Sequence, residues 1–578
     1  MPTLEWIGKD KVINHHQQVP YRVLEKKYTY NAEKSDNMII RGDNLEALKA
    51  LLPKYEGKVK CIYIDPPYNT GNEGWVYNDN VNDPKIRKWL GEVVGKEGED
   101  LSRHDKWLCM MYPRLKLLQR LLSEDGVIFI SIDDTEYANL KLICDEIFGA
   151  NCFVSNISWQ RTYSMRNDAK GIPAEVEHIL VYSKMTDWQP QKLKRTEAMD
   201  SKYKNPDNDP RGAWRNIVAS APDSIAHQGM VYAIQNPITG EYTYPPQGRH
   251  WSLGQEQMLE AMRKWCNYRL TDLHDYDARA KVCNVSVEDV RNDVLAIVLD
   301  EDITRAKNKA TAIIKNGPLP EFFFSRNGAG ALSRKAYLEE MGGRPVTNLW
   351  PFEETGHTDE ASRLLKAMFG GTAVFDTPKP PRLIERILHI IGDDNAVILD
   401  SFAGSGTTAH AVLNMNKADG GNRKFILVEM MDYAESITAE RVKRVIDGYG
   451  EGKNAVEGTG GDFTFYDLGS VLLLPDGNLN EEVGTEKIRE YVWYMETKSP
   501  LEEANNGNPY YLGESRGTDY YFFYERERLT TLNHQFLATI KDRAESYLIY
   551  ADLCTIPDEE LKQYNITFKK IPRDIAKL

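Results

Sequence analysis

The sequence predicts an α/β protein built on a doubly wound, mainly parallel sheet. Two buried strands that each end in a cluster of ligand-suited residues carry that prediction, together with the strand–helix alternation around them. Val59-Lys60-Cys61-Ile62-Tyr63-Ile64 is short, β-branched and aromatic, and it runs straight into Asp65-Pro66-Pro67-Tyr68. Ala396-Val397-Ile398-Leu399-Asp400 is the second such strand, and Ser401-Phe402-Ala403-Gly404-Ser405-Gly406-Thr407-Thr408-Ala409 follows it.

Taken in order, the elements divide the chain into five segments. Residues 1–37 are polar, with Trp6, His15-His16 and Lys26-Lys27, and read as an extension that decorates the core or another subunit. Residues 38–190 hold the first half of the core. There Met38-Ile39-Ile40 forms a strand ending at Gly42-Asp43-Asn44, and Leu45, Leu48, Leu51 and Leu52 mark a helix. The strand before Asp65 and the strand Gly126–Ile132 before Asp133-Asp134 continue the alternation, which predicts parallel pairing. His178-Ile179-Leu180-Val181-Tyr182 adds a further strand.

Residues 191–345 form a large insertion, slightly basic in a chain whose net charge is −14. Residues 346–465 return to the core with the strand before Asp400 and the strand Phe425-Ile426-Leu427-Val428, which ends at Glu429. The core is therefore split, its first strands coming late in the chain, as in a circular permutation. Residues 466–578 give a strand at Tyr520–Tyr524, a helix at Leu532–Ile540 and a strand at Tyr547–Tyr550. A short helix at Asp558–Gln563 and a strand at Ile566–Phe568 complete a small α/β appendix in which no catalytic constellation is visible.

The two strand ends carry the chemistry. Pro66-Pro67 stops the sheet, so Asp65 and Tyr68 emerge at the carboxyl end of the strand, where open α/β sheets bind ligands. The prolines also leave backbone carbonyls without a ladder partner. A carboxylate, a free carbonyl and an aromatic ring suit a flat, amino-bearing heterocycle. At the second strand, Gly404 and Gly406 permit a tight turn and close ligand approach, and Thr407 or Thr408 can cap the following helix. The helix N-terminus attracts a small anion, and Glu429 is placed to grip ribose hydroxyls. Alone, Gly404-x-Gly406-x-x-Ala409 also fits a dinucleotide fingerprint, a weak pattern, so a nicotinamide-dependent oxidoreductase and a plain glycine-rich turn both stay open at this point.

With 41% hydrophobic residues, no apolar run long enough for a bilayer and no signal-peptide pattern, the expectation is a soluble, cytoplasmic protein. Seven cysteines without a Cys-x-x-Cys pair predict reduced thiols and no metal site. No Gly-x-x-x-x-Gly-Lys-Ser/Thr loop occurs, so the chain should not hydrolyse ATP.

Together the motifs resemble the β class of amino-group DNA methyltransferases, in which an Asp-Pro-Pro-Tyr motif precedes a Phe-x-Gly-x-Gly motif. Asn69-Thr70-Gly71, the strand ending at Asp133-Asp134, the strand His178–Tyr182 and Phe375-Asp376-Thr377-Pro378-Lys379-Pro380 extend the resemblance. It is greatest to the modification subunit of Type III restriction-modification systems, over about residues 38–190 and 340–430.

The resemblance implies a Rossmann-like core that uses S-adenosylmethionine. Asp65, Pro66, Pro67 and Tyr68 would hold a flipped base. Asp400, Phe402, Ala403, Gly404, Gly406, Thr407, Thr408, Glu429, Lys379 and Pro380 would line the cofactor site. Asp43, at the tip of the strand beside Glu429, would lie near the cofactor adenine or else cap a helix. Asp rather than Ser in the first motif position favours adenine N6 over cytosine N4.

By position, 191–345 is the target recognition domain, where Arg249 and Trp251 sit in an interleaved basic and aromatic run. Arg161, Arg166 and Lys170 lie in a polar loop expected to touch the DNA backbone. Overall acidity argues against histone-like coating of DNA, so positive charge must gather on one face. Double-stranded DNA, a second copy of the chain and an ATP-dependent helicase-nuclease restriction subunit are the implied partners.

Overall fold

The computed structural model describes residues 3–70, 103–163, 171–502, 506–541 and 543–576. Lys192–Pro345 forms one compact unit, and the rest of the chain forms another.

The larger unit is organised by one ten-stranded sheet. Six strands run parallel at its centre, in the order Phe463–Val471, Met38–Arg41, Lys424–Glu429, Val397–Asp400, Val59–Ile64 and Leu122–Ile132. Val176–Ser183 then pairs antiparallel to Leu122–Ile132, followed by Phe153–Gln160 and the short Leu349–Trp350. The two late strands therefore slot between Met38–Arg41 and Val59–Ile64, which is the split order expected of a permuted sheet. Strands 59–64, 397–400 and 424–429 are almost wholly buried, as parallel strands covered on both faces must be. Helices Asn44–Tyr55, Arg103–Leu121 and Tyr137–Phe148 pack together, and Pro381–Ile391, Thr407–Asp419 and Glu440–Asp447 form a second set.

From Val397–Asp400 the chain winds one way, to Lys424–Glu429. From Val59–Ile64 it winds the other way, to Leu122–Ile132. The crevice between these adjacent strands is the topological switch point, where doubly wound sheets bind ligands.

The core sheet is wider than the sequence predicts. Arg22–Tyr30 pairs antiparallel with Phe463–Val471, so residues 1–37 contribute a strand rather than mere decoration, and the 465/466 boundary falls inside a strand. Trp6, Val12 and Val19 are buried in the same core cluster. The strand Arg22–Tyr30 escapes pattern reading because its middle residues are exposed on an edge, where the apolar alternation is lost.

The appendix sheet runs Tyr511–Ser515, Thr518–Phe522, Ser546–Ala551 and Ile566–Lys570. The helix Thr485–Thr497 ties it to the core: Tyr491, Val492, Trp493 and Tyr494 are buried there, and the Tyr494 hydroxyl donates to Glu56.

The unit Lys192–Pro345 has its own core, built on Trp214, Tyr232, Trp251, Trp265 and Phe322–Phe324. Lys335 is fully buried and neutralised by Asp207 and Asp209 at 2.6 and 2.5 Å.

Candidate active site

A cavity of about 530 Å³ opens at the switch point, and both motifs line it. From the first come Tyr63, Asp65, Pro66, Tyr68 and Thr70; from the second come Asp400, Phe402, Ala403, Gly404, Ser405, Thr407 and Thr408. More than 330 residues of sequence separate them, and the sheet sets their strands side by side.

The catalytic motif is held from beneath. Asn69 adopts a left-handed backbone (φ 61°), which Asn tolerates better than most residues. Its side chain donates to the Arg103 carbonyl and to the fully buried carboxylate of Glu136. Trp107 Nε1 donates to the Pro67 carbonyl at 2.7 Å, whereas no described residue donates to the Pro66 carbonyl. Among the described residues, then, only one of the two proline carbonyls is engaged.

Above the motif lies a charged network that the sequence did not reveal. Lys379 Nζ donates to Asp65 Oδ2 at 2.6 Å and to the Tyr68 hydroxyl at 3.0 Å, and it lies 3.6 Å from Glu177 Oε2. The Tyr68 hydroxyl donates to Asp65 Oδ1 at 2.8 Å and lies 3.2 Å from Glu177 Oε2. Arg161 donates to the other Glu177 oxygen at 2.6 Å. Two carboxylates thus face two cations.

Burial lifts the Asp65 carboxyl above its ordinary pKa; Lys379 pulls it back, and Glu177 pushes it the same way as burial. Burial alone would lower the Lys379 ammonium, but the carboxylates of Asp65 and Glu177 outweigh it and hold the pKa above its ordinary value. The phenol of Tyr68 is raised well above its usual range by burial and by the same two carboxylates.

The glycine loop is equally determined. Gly404 (φ 51°) and Gly406 (φ 82°) both sit in the left-handed region. A Cβ at Gly406 would lie 3.1 Å from the Thr438 carbonyl oxygen and 3.2 Å from Thr438 Cγ2. Gly406 itself is the helix N-cap, with no side-chain cap, which corrects the expectation of a threonine cap. Thr408 Oγ1 instead donates to Asp400 Oδ2 at 2.5 Å, and Thr407 Oγ1 donates to the Lys379 carbonyl at 3.1 Å. Burial lifts the Asp400 carboxyl to about 7, against hydrogen bonds from Thr408 and the Phe402 N–H.

Several expected site residues take other positions. Glu429 accepts from the N–H groups of Gly404 (2.8 Å) and Met431 (3.0 Å) and stands behind the loop, off the cavity wall. Its carboxyl is lifted to about 7 by burial. Asp43 caps the helix Asn44–Tyr55, accepting from the N–H groups of Leu45 and Glu46, and pairs with Arg114. Lys379 lies between the two motifs, its ammonium on Asp65 and its carbonyl accepting from Thr407, and Pro380 is the N-cap of the next helix, off the cavity wall.

Among the expected DNA contacts, Arg161 lines the cavity with its guanidinium committed to Glu177. Trp251 is 2% exposed, with Nε1 bonded to the Tyr232 carbonyl, so it is a core residue of its unit. Arg249 braces the neighbouring strand through the hydroxyl and carbonyl of Ser220. Arg166 and Lys170 lie outside the described residues. Residues that the sequence reading did not name as site residues also line the cavity: Glu177, Asp133, His357 and Phe375 among them.

A sheet whose switch point joins an Asp-Pro-Pro-Tyr corner to a glycine loop defines a class, and comparison with known proteins gives the family. Residues 59–440 match a family model described as DNA methylase. The chain belongs to this family of N6/N4 methyltransferases. It is similar to the Mod subunit of the Type III restriction-modification enzyme StyLTI of Salmonella typhimurium, 32% identical over 444 residues, covering 73% of this chain and 57% of that protein. The EcoP15I Mod subunit of Escherichia coli is 29% identical over 457 residues, covering 74% of this chain and 64% of that one. The Type II methyltransferase M.KpnI of Klebsiella pneumoniae is 30% identical over 421 residues, covering 70% of this chain and 85% of that protein. The chain thus spans less than two thirds of the length of these Type III relatives.

Proposed function

We propose that this chain transfers a methyl group from S-adenosylmethionine to the N6 amino group of adenine in double-stranded DNA, as the modification subunit of a Type III restriction-modification system. The observation that carries the reading is the shared cavity, which Asp65, Pro66 and Tyr68 line together with the glycine loop. Family membership and the similarity to Mod subunits support it. An Asp rather than a Ser at position 65 favours adenine over cytosine.

The loop residues Phe402 to Gly406, with Thr407 and Phe375, would hold the cofactor: two left-handed glycines leave its backbone open to close approach. Bound S-adenosylmethionine supplies an activated methyl group on a sulfonium centre. The protein's task is then alignment and tuning of the acceptor.

An adenine amino group is a poor nucleophile because its lone pair is delocalised into the ring. Asp65 and the Pro66 carbonyl accept its two N–H bonds, which draws the nitrogen toward tetrahedral geometry and localises the pair. Once alkylated, the nitrogen sheds one proton, and Asp65 is the group placed to receive it. A base inside a duplex cannot reach this recess, so it must flip out, and stacking on Tyr68 returns about 1–3 kcal/mol of the cost. Incubation with tritiated S-adenosylmethionine and mixed DNA, followed by identification of the labelled nucleoside, tests the reading. Label in N4-methylcytosine, or none, would overturn it.

Gly406→Val should weaken S-adenosylmethionine binding at least tenfold, about 1.4 kcal/mol, because the left-handed φ and the nearby Thr438 backbone force the loop to shift. Calorimetric titration checks this, and NAD in the same experiment separates the two ligand readings. Tight NAD binding without S-adenosylmethionine binding would reverse the choice.

The chain's partners are a second copy, a restriction subunit that supplies ATP-driven cleavage, and asymmetric DNA. In such a dimer one copy reads the site while the other methylates. Its location is cytoplasmic; among the described residues no helix is long and apolar enough to cross a membrane. Light scattering should give about twice 66.1 kDa, and strand-resolved mapping should mark one strand of the site. A monomer marking both strands of a palindrome would favour the second reading, a Type II enzyme, which the 85% coverage of M.KpnI supports.

A further inference from the structure

Arg441, on the helix Glu440–Asp447, is fully buried directly behind the glycine loop. Among the described residues no carboxylate forms an ion pair with it. One guanidinium nitrogen donates to Ser405 Oγ and Thr407 Oγ1, both at 2.7 Å, and the other faces His410 Nδ1 at 3.2 Å. Its Nε is buried without a partner. Burial presses its pKa down to about 9, which still leaves it protonated at neutral pH, and burial with Arg441 alongside keeps His410 neutral. The remaining hydrogen-bond partner of Arg441 is the Ser405 carbonyl, 3.5 Å away; a buried cation met by hydroxyls, a carbonyl and an imidazole, with no carboxylate among the described residues, is costly.

The hydroxyls beside it are not equivalent. Thr407 Oγ1 spends its proton on the Lys379 carbonyl. Ser405 Oγ accepts from Arg441 and makes only a long 3.5 Å approach to Thr407, so its own proton is available and polarised by the cation. Ser405 lines the cavity. The first turn of the helix Thr407–Asp419 adds N–H groups that no side chain caps.

We propose that Arg441 is the counter-charge for the carboxylate at the amino-acid end of S-adenosylmethionine, acting through the Ser405 hydroxyl. The proposal rests on the reading of this cavity as the cofactor site. The ligand class it selects is a nucleoside bearing an α-amino acid, and a bare nucleoside would not engage it. Arg441 is a positioning residue here, and the competing role is a staple that merely fixes the loop.

Calorimetry on the full chain separates the two, with S-adenosylmethionine and with 5′-methylthioadenosine, which keeps the nucleoside and lacks the amino acid. Arg441→Met should weaken S-adenosylmethionine by about 10- to 100-fold and leave 5′-methylthioadenosine within about threefold. Arg441→Lys should recover part of the loss, and Ser405→Ala should reproduce the selectivity in milder form. Equal loss for both ligands, or no loss for either, would overturn the proposal. If Arg441→Met does not fold, Ser405→Ala decides: unchanged S-adenosylmethionine affinity there rejects the relay. A wild-type protein that binds neither compound rejects the cofactor reading itself, and this proposal with it, a result distinct from any loss of selectivity.

Discussion

Asp65→Ala should lower methyl transfer by on the order of 10³-fold while S-adenosylmethionine affinity stays within about threefold. On the proposed mechanism the carboxylate acts on the acceptor amino group, so its loss removes one of two hydrogen-bond acceptors and the group placed to take the released proton. It also strands Lys379, whose Nζ then has, among the described residues, the Tyr68 hydroxyl and the more distant Glu177. Asp65→Asn is the sharper control: it keeps the volume and one acceptor oxygen but cannot take up the proton. Tyr68→Ala should add a loss of base capture. Tyr68→Phe keeps the stacking face but deletes the O–H that donates to Asp65, so it should cost more than stacking alone implies. Single-turnover rates under saturating cofactor give the chemical step directly. Wild-type turnover in Asp65→Ala would remove the catalytic assignment.

The chemistry at Asp65 was legible because prolines are rigid: Pro66-Pro67 dictates where the strand stops, whatever the rest of the chain does. The glycine loop was legible for the same reason, since Gly404 and Gly406 hold backbone conformations that other residues resist. Glu177 was hidden in a segment read only for its apolar residues. Val176–Ser183 runs antiparallel to its neighbour, so its first residues, not its last, lie at the edge where the parallel strands end. A sequence pattern that marks strand ends by direction misses a cavity-lining residue at a strand's start.

Trp251 shows the opposite limit. Interleaved aromatic and basic residues look alike whether they face solvent or pack inward, and here Trp251 builds the core of its unit. Arg441 carries no local signal at all; it becomes visible only when the helix behind the loop is in place.

Lys379→Met and Glu177→Gln should move the pH profile of methyl transfer in opposite directions. On the proposed mechanism the active form of Asp65 is the carboxylate, so the acidic limb of kcat/KM would report its ionisation in the free enzyme. Burial already raises that pKa; Lys379 opposes the rise and Glu177 adds to it. Removing the Lys379 charge leaves Asp65 and Glu177 as two buried carboxylates with less to hold them apart. The acidic limb should then shift upward by about one unit or more, with activity recovering at high pH. Glu177→Gln removes the like charge and leaves Lys379 wholly to Asp65, so the limb should shift downward.

The same pair tests where Lys379 belongs. If it served only the cofactor, Lys379→Met would raise the KM for S-adenosylmethionine and leave the limb in place. The geometry favours the acceptor side: Nζ is 2.6 Å from Asp65 and 3.6 Å from Glu177, so an incoming amino group can take over the Asp65 oxygen as Lys379 swings toward Glu177. That exchange keeps the lysine's charge paired throughout and frees the acceptor only when a base arrives. Shifts of the same sign in both variants, or none in either, would sever Lys379 and Glu177 from the chemistry at Asp65.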